Sequence, residues 1–199
     1  MRKRNRQDGS SQQERQPKLA SEAYLERAAL HYLGRYSASI AHFREVLRRK
    51  IKRRRLPEGV SPEEAEGWIE KLVVSYVDLG ILDDRAFAEM RAGSLFRRGK
   101  GARAIAFDLK SKGLAEEDIQ AAIEELNDES ADPELEAAIG FARRRRLGPF
   151  ARVPHKDADD PRKSYERALA AFGRSGFSLS MARTVLDAES EDDLESLLR

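Results

Sequence analysis

The chain contains no cysteine. Disulfide staples and thiolate-bound metals are therefore excluded, a composition that suits a reducing compartment. Histidine is nearly as scarce: His31, His42 and His155 stand far apart, with no HExxH-type spacing, so no metal centre is expected. No apolar run approaches the roughly 20 residues needed to cross a bilayer as a helix. The opening MRKRNRQDGSSQQERQPK has no apolar segment of the kind a secretory signal carries. A cytoplasmic protein without membrane contact is expected. Strand-type alternation is also missing. The one β-like run, Leu72 to Val77, lies inside a helical stripe.

The elements of catalysis are thin as well. Serines are numerous but none sits in a nucleophile elbow. Asp83 and Asp84 form an acid pair, yet they stand at a helix start, where a carboxylate accepts hydrogen bonds from free N–H groups. Gly99-Lys100 resembles part of a phosphate loop only superficially. Five residues separate Gly93 from it instead of four, and Gly101 stands where a magnesium-binding Ser or Thr is required. Aromatics are 7% of the chain; Trp68 and the tyrosines are spaced as core residues, with no platform for stacking bases. No enzyme, cofactor or metal is expected.

What is present is charge. Charged residues make up 36% of the 199 positions against 40% apolar, a balance that suits thin helical layers better than one thick core. The net charge of +2 conceals segregation. Arg44 to Arg55 holds eight bases and one acid, and Arg143 to Arg146 is an unbroken arginine run. Glu124 to Glu136 holds seven acids and Asp187 to Glu195 six. Separated blocks of this kind point to an electrostatically guided partner, a nucleic acid or a patterned protein, or else to solvated helix faces.

Apolar residues recur at helical spacing from Ser21 onward. Leu25, Ala28, Ala29 and Tyr32 form the first stripe; Ile40, Phe43, Leu47 and Ile51 the second, with Ser37 or Ser39 as its cap. Ser61 caps the third, with Pro62 at the position where its missing N–H costs nothing. Leu82 to Leu126 then reads as three short helices punctuated by Gly99, Gly101 and Gly113. Asp132-Pro133 opens another helix that stops at Gly148-Pro149, and two more follow, around Tyr165 to Phe172 and Ala182 to Leu186. Nine helices are expected.

The pattern repeats. Leu109…Lys112-Gly113-Leu114 aligns with Phe172…Ser175-Gly176-Phe177, and Ile119, Ala122 and Ile123 match Ala182, Val185 and Leu186 at identical offsets. The expected organisation is all-α: a disordered basic tail over 1–20, three-helix repeats over 21–80, 81–127 and 132–188, and an acidic C-terminal tail over 189–199. Stacked repeats would share a thin core and form an elongated, curved array.

Leu82-Asp83-Asp84-x-x-Phe87-Ala88, then Arg97-Arg98-Gly99-Lys100-Gly101, then Ile105-x-x-x-Leu109-x-x-Lys112-Gly113 together resemble the RecX family of regulatory proteins. Tyr32-Leu33-x-Arg35-x-Ser37 and Ala142 to Phe150 are similar to the corresponding regions of many members. The resemblance implies three tandem three-helix repeats and a role on RecA recombinase filaments on single-stranded DNA. Members lie along the filament groove, suppress its ATPase and strand exchange, and limit its extension; some bind DNA directly.

By charge and position, the candidate contacts to RecA or to single- or double-stranded DNA are Arg97, Arg98, Lys100, Arg103, Lys110 and Lys112, with Arg35, Arg48 and Arg49 second. A monomer is expected. Two other readings stand beside this one. One is a nucleic-acid module independent of RecA, with Ala102 to Lys112 as recognition helix. The other is a scaffold for some other acidic protein.

Overall fold

Side-chain caps decide where most helices of this chain begin. Ser21 accepts from Tyr24 N–H and opens α1 (Glu22–Leu33). Ser39, not Ser37, caps α2 (Ile40–Lys52). Ser61 and Glu64 form a reciprocal capping box at α3 (Pro62–Asp78), with Pro62 in the first turn. Asp83 caps α4 (Asp84–Arg97), Gly101 precedes α5 (Ala102–Ser111), and α6 spans Glu116–Asp128. Asp132 and Asp160 cap α7 (Pro133–Arg145) and α8 (Pro161–Arg174), each again with proline in the first turn. A 3-10 turn, Gly148–Phe150, lies between them. Ser178 caps α9 (Leu179–Leu186) and Ser190 caps α10 (Glu191–Leu197). The structure, a computed structural model, describes residues 18–128, 132–152 and 158–198, and over these it is an all-α helical array.

Two expectations need correction. The acidic C-terminal segment is not a plain tail. Ser190 and Asp193 form a capping box, and the helix they start buries Leu194 completely. Ten α-helices are therefore present among the described residues instead of nine. So short a helix is marginal alone; its one buried leucine, packed into the last apolar cluster, holds it. At the other end, residues 1–17 of the expected basic tail lie outside the described residues. Lys18 to Ala20 do not continue a tail: Leu19 runs parallel to Arg55, Ala20 N–H donates to Arg55 O at 2.9 Å, and Ala20 is fully buried. Residues 129–131 and 153–157, on either side of α7 and its 3-10 turn, lie outside as well.

Burial follows the apolar stripes and falls into three clusters. The first joins Leu25, Ala29, Phe43, Leu47, Ile69, Val73, Tyr76 and Leu82. The second joins Ala88, Ala92, Leu95, Ile105, Leu109, Leu114, Ile119 and Ala122. The third is built on Leu135, Ala138, Ala142, Phe172, Phe177, Val185 and Leu194. In it Phe141, Phe172 and Phe177 form an aromatic triangle with centroids 5.0–5.6 Å apart, so edge-to-face attraction adds to burial. On α4 the small side of the helix, Ala88, Ala92 and Leu95, faces inward, and Met90 stands half exposed. Tyr36 is another exception to the core reading of the tyrosines: it is exposed and packs on Tyr32 at 5.2 Å.

The clusters are joined by one device used twice. α5 ends in a left-handed glycine, Gly113 (φ +78°), and α8 ends the same way at Gly176 (φ +91°). In both, the residue after the glycine reaches back to the last turn: Leu114 N–H to Leu109 O at 3.4 Å, Phe177 N–H to Phe172 O at 3.2 Å. The start of the preceding unit's second helix abuts each of these turns. At the first joint Ser39 Oγ donates to Lys112 O at 2.6 Å, and a methyl group on Gly113 would lie 2.6 Å from Ala41 Cβ. At the second, Gly101 N–H donates to Ser175 O at 2.9 Å, and a methyl group on Gly176 would lie 2.5 Å from Ala104 Cβ. The second helices α8, α5 and α2 thus meet end to end, each C-terminal turn against the next N-terminus. Asp84 reinforces the first joint by accepting Ile40 N–H at 2.8 Å. Phe96 spans the second, packing against both neighbouring clusters.

Candidate partner-binding surface

The turn Arg97 to Arg103 combines a buried backbone with an exposed rim. Gly99 takes φ +70° and lies against the Arg144 side chain, while Gly101 meets the Gly176 carbonyl group and the Phe177 ring. Both glycines are buried because the turn forms the seam with the third cluster. Its cations are less buried than the two glycines. Arg97, Arg98 and Arg103 are exposed and Lys100 is half-buried. None of the four makes an ion pair among the described residues. The sequence groups them by a turn; the structure adds Arg174, exposed at the end of α8 across the seam.

A second cationic spot marks the other joint. Lys112 lies where the α5 turn meets α2, and with Arg49 it depresses the His42 pKa below 6.5, after burial of the imidazole as the larger cause. Arg49 and Lys110 are exposed. Arg35 is exposed on the turn between α1 and α2.

Arg48 has a different situation. Its guanidinium donates through Nε to Glu66 Oε1 at 2.8 Å and through a second nitrogen to the same oxygen. One turn earlier Arg44 makes a two-point contact with Glu70, at 2.8 and 3.0 Å. These pairs fasten α2 to α3 and neutralise part of the basic helix internally. Both are partly exposed, so each contributes only about 0.2–1 kcal/mol. The arginine run is similarly divided. Arg143 pairs with Glu191 of α10 and lies over the Phe150 ring, and Arg144 lies against Gly99, whereas Arg145 makes no ion pair among the described residues. Sequence reasoning could not separate spent from free arginines, because their partners lie on other helices.

The Asp83–Asp84 pair is also divided. Asp83 caps α4, accepting from Ala86 N–H at 3.0 Å. Asp84 turns to the neighbouring unit, and burial raises its pKa against the opposing effect of the Ile40 hydrogen bond. Both carboxylates therefore serve helix ends. No group of three or more His, Asp or Glu suited to a metal occurs among the described residues, and no described helix is long and apolar enough to cross a membrane.

One exposed group went unnoticed in the sequence. Phe107 on α5 is 76% exposed, beside Arg103 on the same face. Its position off the Ile105–Leu109 stripe is the signal that could have found it.

Comparison with known proteins agrees with this architecture. Residues 83–123 match the family model described as RecX, second three-helix domain. Curated relatives named "Regulatory protein RecX" include one from Myxococcus xanthus (strain DK1622), 39% identical over 87% of this chain and 90% of its own length. Another, from Agrobacterium fabrum (strain C58 / ATCC 33970), is 32% identical over 85% of each. The fold is similar to the crystal structure of RecX from Lactobacillus salivarius, with a TM-score of 0.61 at 17% identity, covering 84% of this chain and 96% of that one. A repeated three-helix layout over the described residues and close relatives along nearly the whole length lead to one conclusion: the chain belongs to the RecX family of regulatory proteins.

Proposed function

We propose that this protein docks on RecA filaments on single-stranded DNA and restrains them, lowering ATP hydrolysis, filament extension and strand exchange. Family membership supplies the class of role. The observation that carries the reading is the end-to-end order of α8, α5 and α2 with unpaired cations at both joints. A partner with a repeating acidic surface can then be met at successive points. Arg97, Arg98, Lys100, Arg103, Lys110 and Lys112 supply the main contacts, with Arg35 and Arg49 beyond them. Arg48 contributes less, because Glu66 already holds it.

The test is DNA-stimulated ATP hydrolysis by RecA. Substoichiometric protein should lower the rate, and Arg97→Glu/Arg98→Glu should blunt the effect. Both residues are exposed, so the variant should fold and melt as the parent does. No inhibition by the parent protein at micromolar concentration would refute the proposal.

A further inference from the structure

We infer that the groove between α5 and the end of α8 is a stacking site for single-stranded nucleic acid, with Phe107 as the platform. The groove is open, holds about 560 Å³, and is lined by Lys100, Arg103, Phe107, Asp108, Ser111 and Arg174 among others. Phe107 is the most exposed large apolar side chain among the described residues, at 76%. Exposure of so large a ring is unfavourable in water, and nothing in the first, second or third apolar cluster uses it.

Charge around the ring decides what it can receive. Lys100, Arg103 and Arg174 have no carboxylate partner among the described residues. Asp108, the one acid in the lining, is already neutralised by Arg91 through contacts of 2.8 and 3.0 Å. The site therefore joins an aromatic face to a ring of unpaired cations. Polyanions whose charges alternate with flat apolar groups match it, and nucleic acids have that construction. Arg103 precedes Phe107 by four residues, about one 5.4 Å helical turn, so a phosphate and its neighbouring base can be held together. Duplexes keep their base faces in the stack and offer none to the ring. A single strand offers every face.

This inference deepens the proposed function, on which it rests for its setting, by giving the chain its own hold on the strand. It is tested with the protein alone, so either reading can fail without the other. The full chain is titrated against a fluorescent fifteen-nucleotide deoxythymidine strand at low salt. Phe107→Ala should weaken binding about 5- to 150-fold, the range for loss of one stacked base. Phe107→Trp, in a Trp68→Phe background, should retain affinity, and its emission should be quenched on binding. An abasic strand of equal length should bind weakly and be indifferent to Phe107→Ala. Arg103→Ala/Arg174→Ala should weaken both strands and flatten the salt dependence. A uridine strand in the same assay tells DNA from RNA as the source of this chemistry. The inference is overturned if Phe107→Ala leaves affinity unchanged, if it weakens the abasic strand equally, or if a duplex binds as tightly as the single strand. A loss confined to a protein partner would likewise overturn it and assign the ring to a protein contact.

Discussion

Replacing Gly176 with alanine tests the joint on which the array depends. Two costs combine at this position. Its φ of +91° lies outside the ordinary range of L-residues, which costs about 1–2 kcal/mol. The new methyl group would also overlap the Ala104 backbone nitrogen and lie 2.5 Å from its Cβ. Backbone cannot move aside by changing rotamer, so overpacking adds about 1–3 kcal/mol. Gly80→Ala isolates the first cost, since Gly80 has φ +66° and no atom within 4 Å of an added methyl group. Gly101→Ala isolates the second. Gly101 has an ordinary φ of −75°, but its methyl group would lie 2.9 Å from the Gly176 carbonyl carbon and oxygen and from the Phe177 ring. Urea unfolding midpoints should fall in the order parent, Gly80→Ala, Gly176→Ala, with a loss of about 2–5 kcal/mol for the last. In the Gly101→Ala/Gly176→Ala double variant the two losses should fail to add by more than about 0.5 kcal/mol, because both open the same seam. Small-angle scattering should show the third unit displaced in each seam variant and unmoved in Gly80→Ala. If Gly176→Ala costs no more than Gly80→Ala, the seam is not close-packed and the end-to-end order of α8 and α5 is wrong.

Other consequences follow at the first joint and on α5. Ser39→Ala removes both the α2 cap and the Lys112 carbonyl's donor, so it should cost about 1–3 kcal/mol in urea unfolding; Ser37→Ala, at an exposed position, should cost almost nothing. Arg91 holds the Asp108 carboxyl below its ordinary 3.8. The stabilisation is complete above that value and lost as pH falls through the lower folded pKa, and Arg91→Ala should remove this acid sensitivity from the pH dependence of unfolding. Burial raises Asp84 instead. Its ionised form therefore opposes folding at neutral pH, an opposition relieved as pH falls through the raised pKa, and Asp84→Asn should keep the Ile40 contact while flattening that part of the curve. His42, lowered by burial, Lys112 and Arg49, disfavours folding once it is protonated, so its contribution is whole above pH 6.5 and declines below. An anion neutralising Lys112 and Arg49 should raise the His42 pKa, which imidazole NMR shifts read directly; an unchanged value on binding would place the anion elsewhere.

Helix positions were largely legible because local chemistry sets them. Ser61-Pro62, Asp132-Pro133 and the Gly113 and Gly176 stops each act within one turn, and the apolar stripes between them need no knowledge of the fold. The last helix escaped notice because its single buried side chain, Leu194, is stabilised by residues of α7 to α9 and not by its own sequence. The basic surface was legible as a set of cations and illegible as a site. Arg44 and Arg48 look equivalent to Arg49 in the sequence, yet Glu70 and Glu66, some twenty residues away, hold the first two and leave the third free. Phe107 failed for the converse reason. An aromatic on a helix with an apolar stripe reads as core unless its angular position is followed, and only the fold reveals that Arg174 of α8 joins Lys100 and Arg103 beside it.

The glycine turn shows why a motif can be recognised before its purpose is. Arg97-Arg98-Gly99-Lys100-Gly101 reads as a charged, glycine-rich turn offered to a partner. In the structure its two glycines are there for closeness: a side chain at Gly101 would push α5 away from the Gly176 turn, and one at Gly99 would run into Arg144 and Phe141 of α7. Contact that tight fixes the direction in which Arg97, Arg98, Lys100 and Arg103 project, since their backbone is clamped between two units. A mobile loop would lose rotamer and backbone freedom on binding, about 1–2 kcal/mol for each residue's backbone. A clamped one has already lost most of it on folding. On the proposed function, structural and binding roles converge on one turn: glycines that bring two units together also preorganise the cations beside them. Seam variants should therefore weaken partner binding although they remove no charge, and Arg97→Glu/Arg98→Glu should weaken it without loosening the seam.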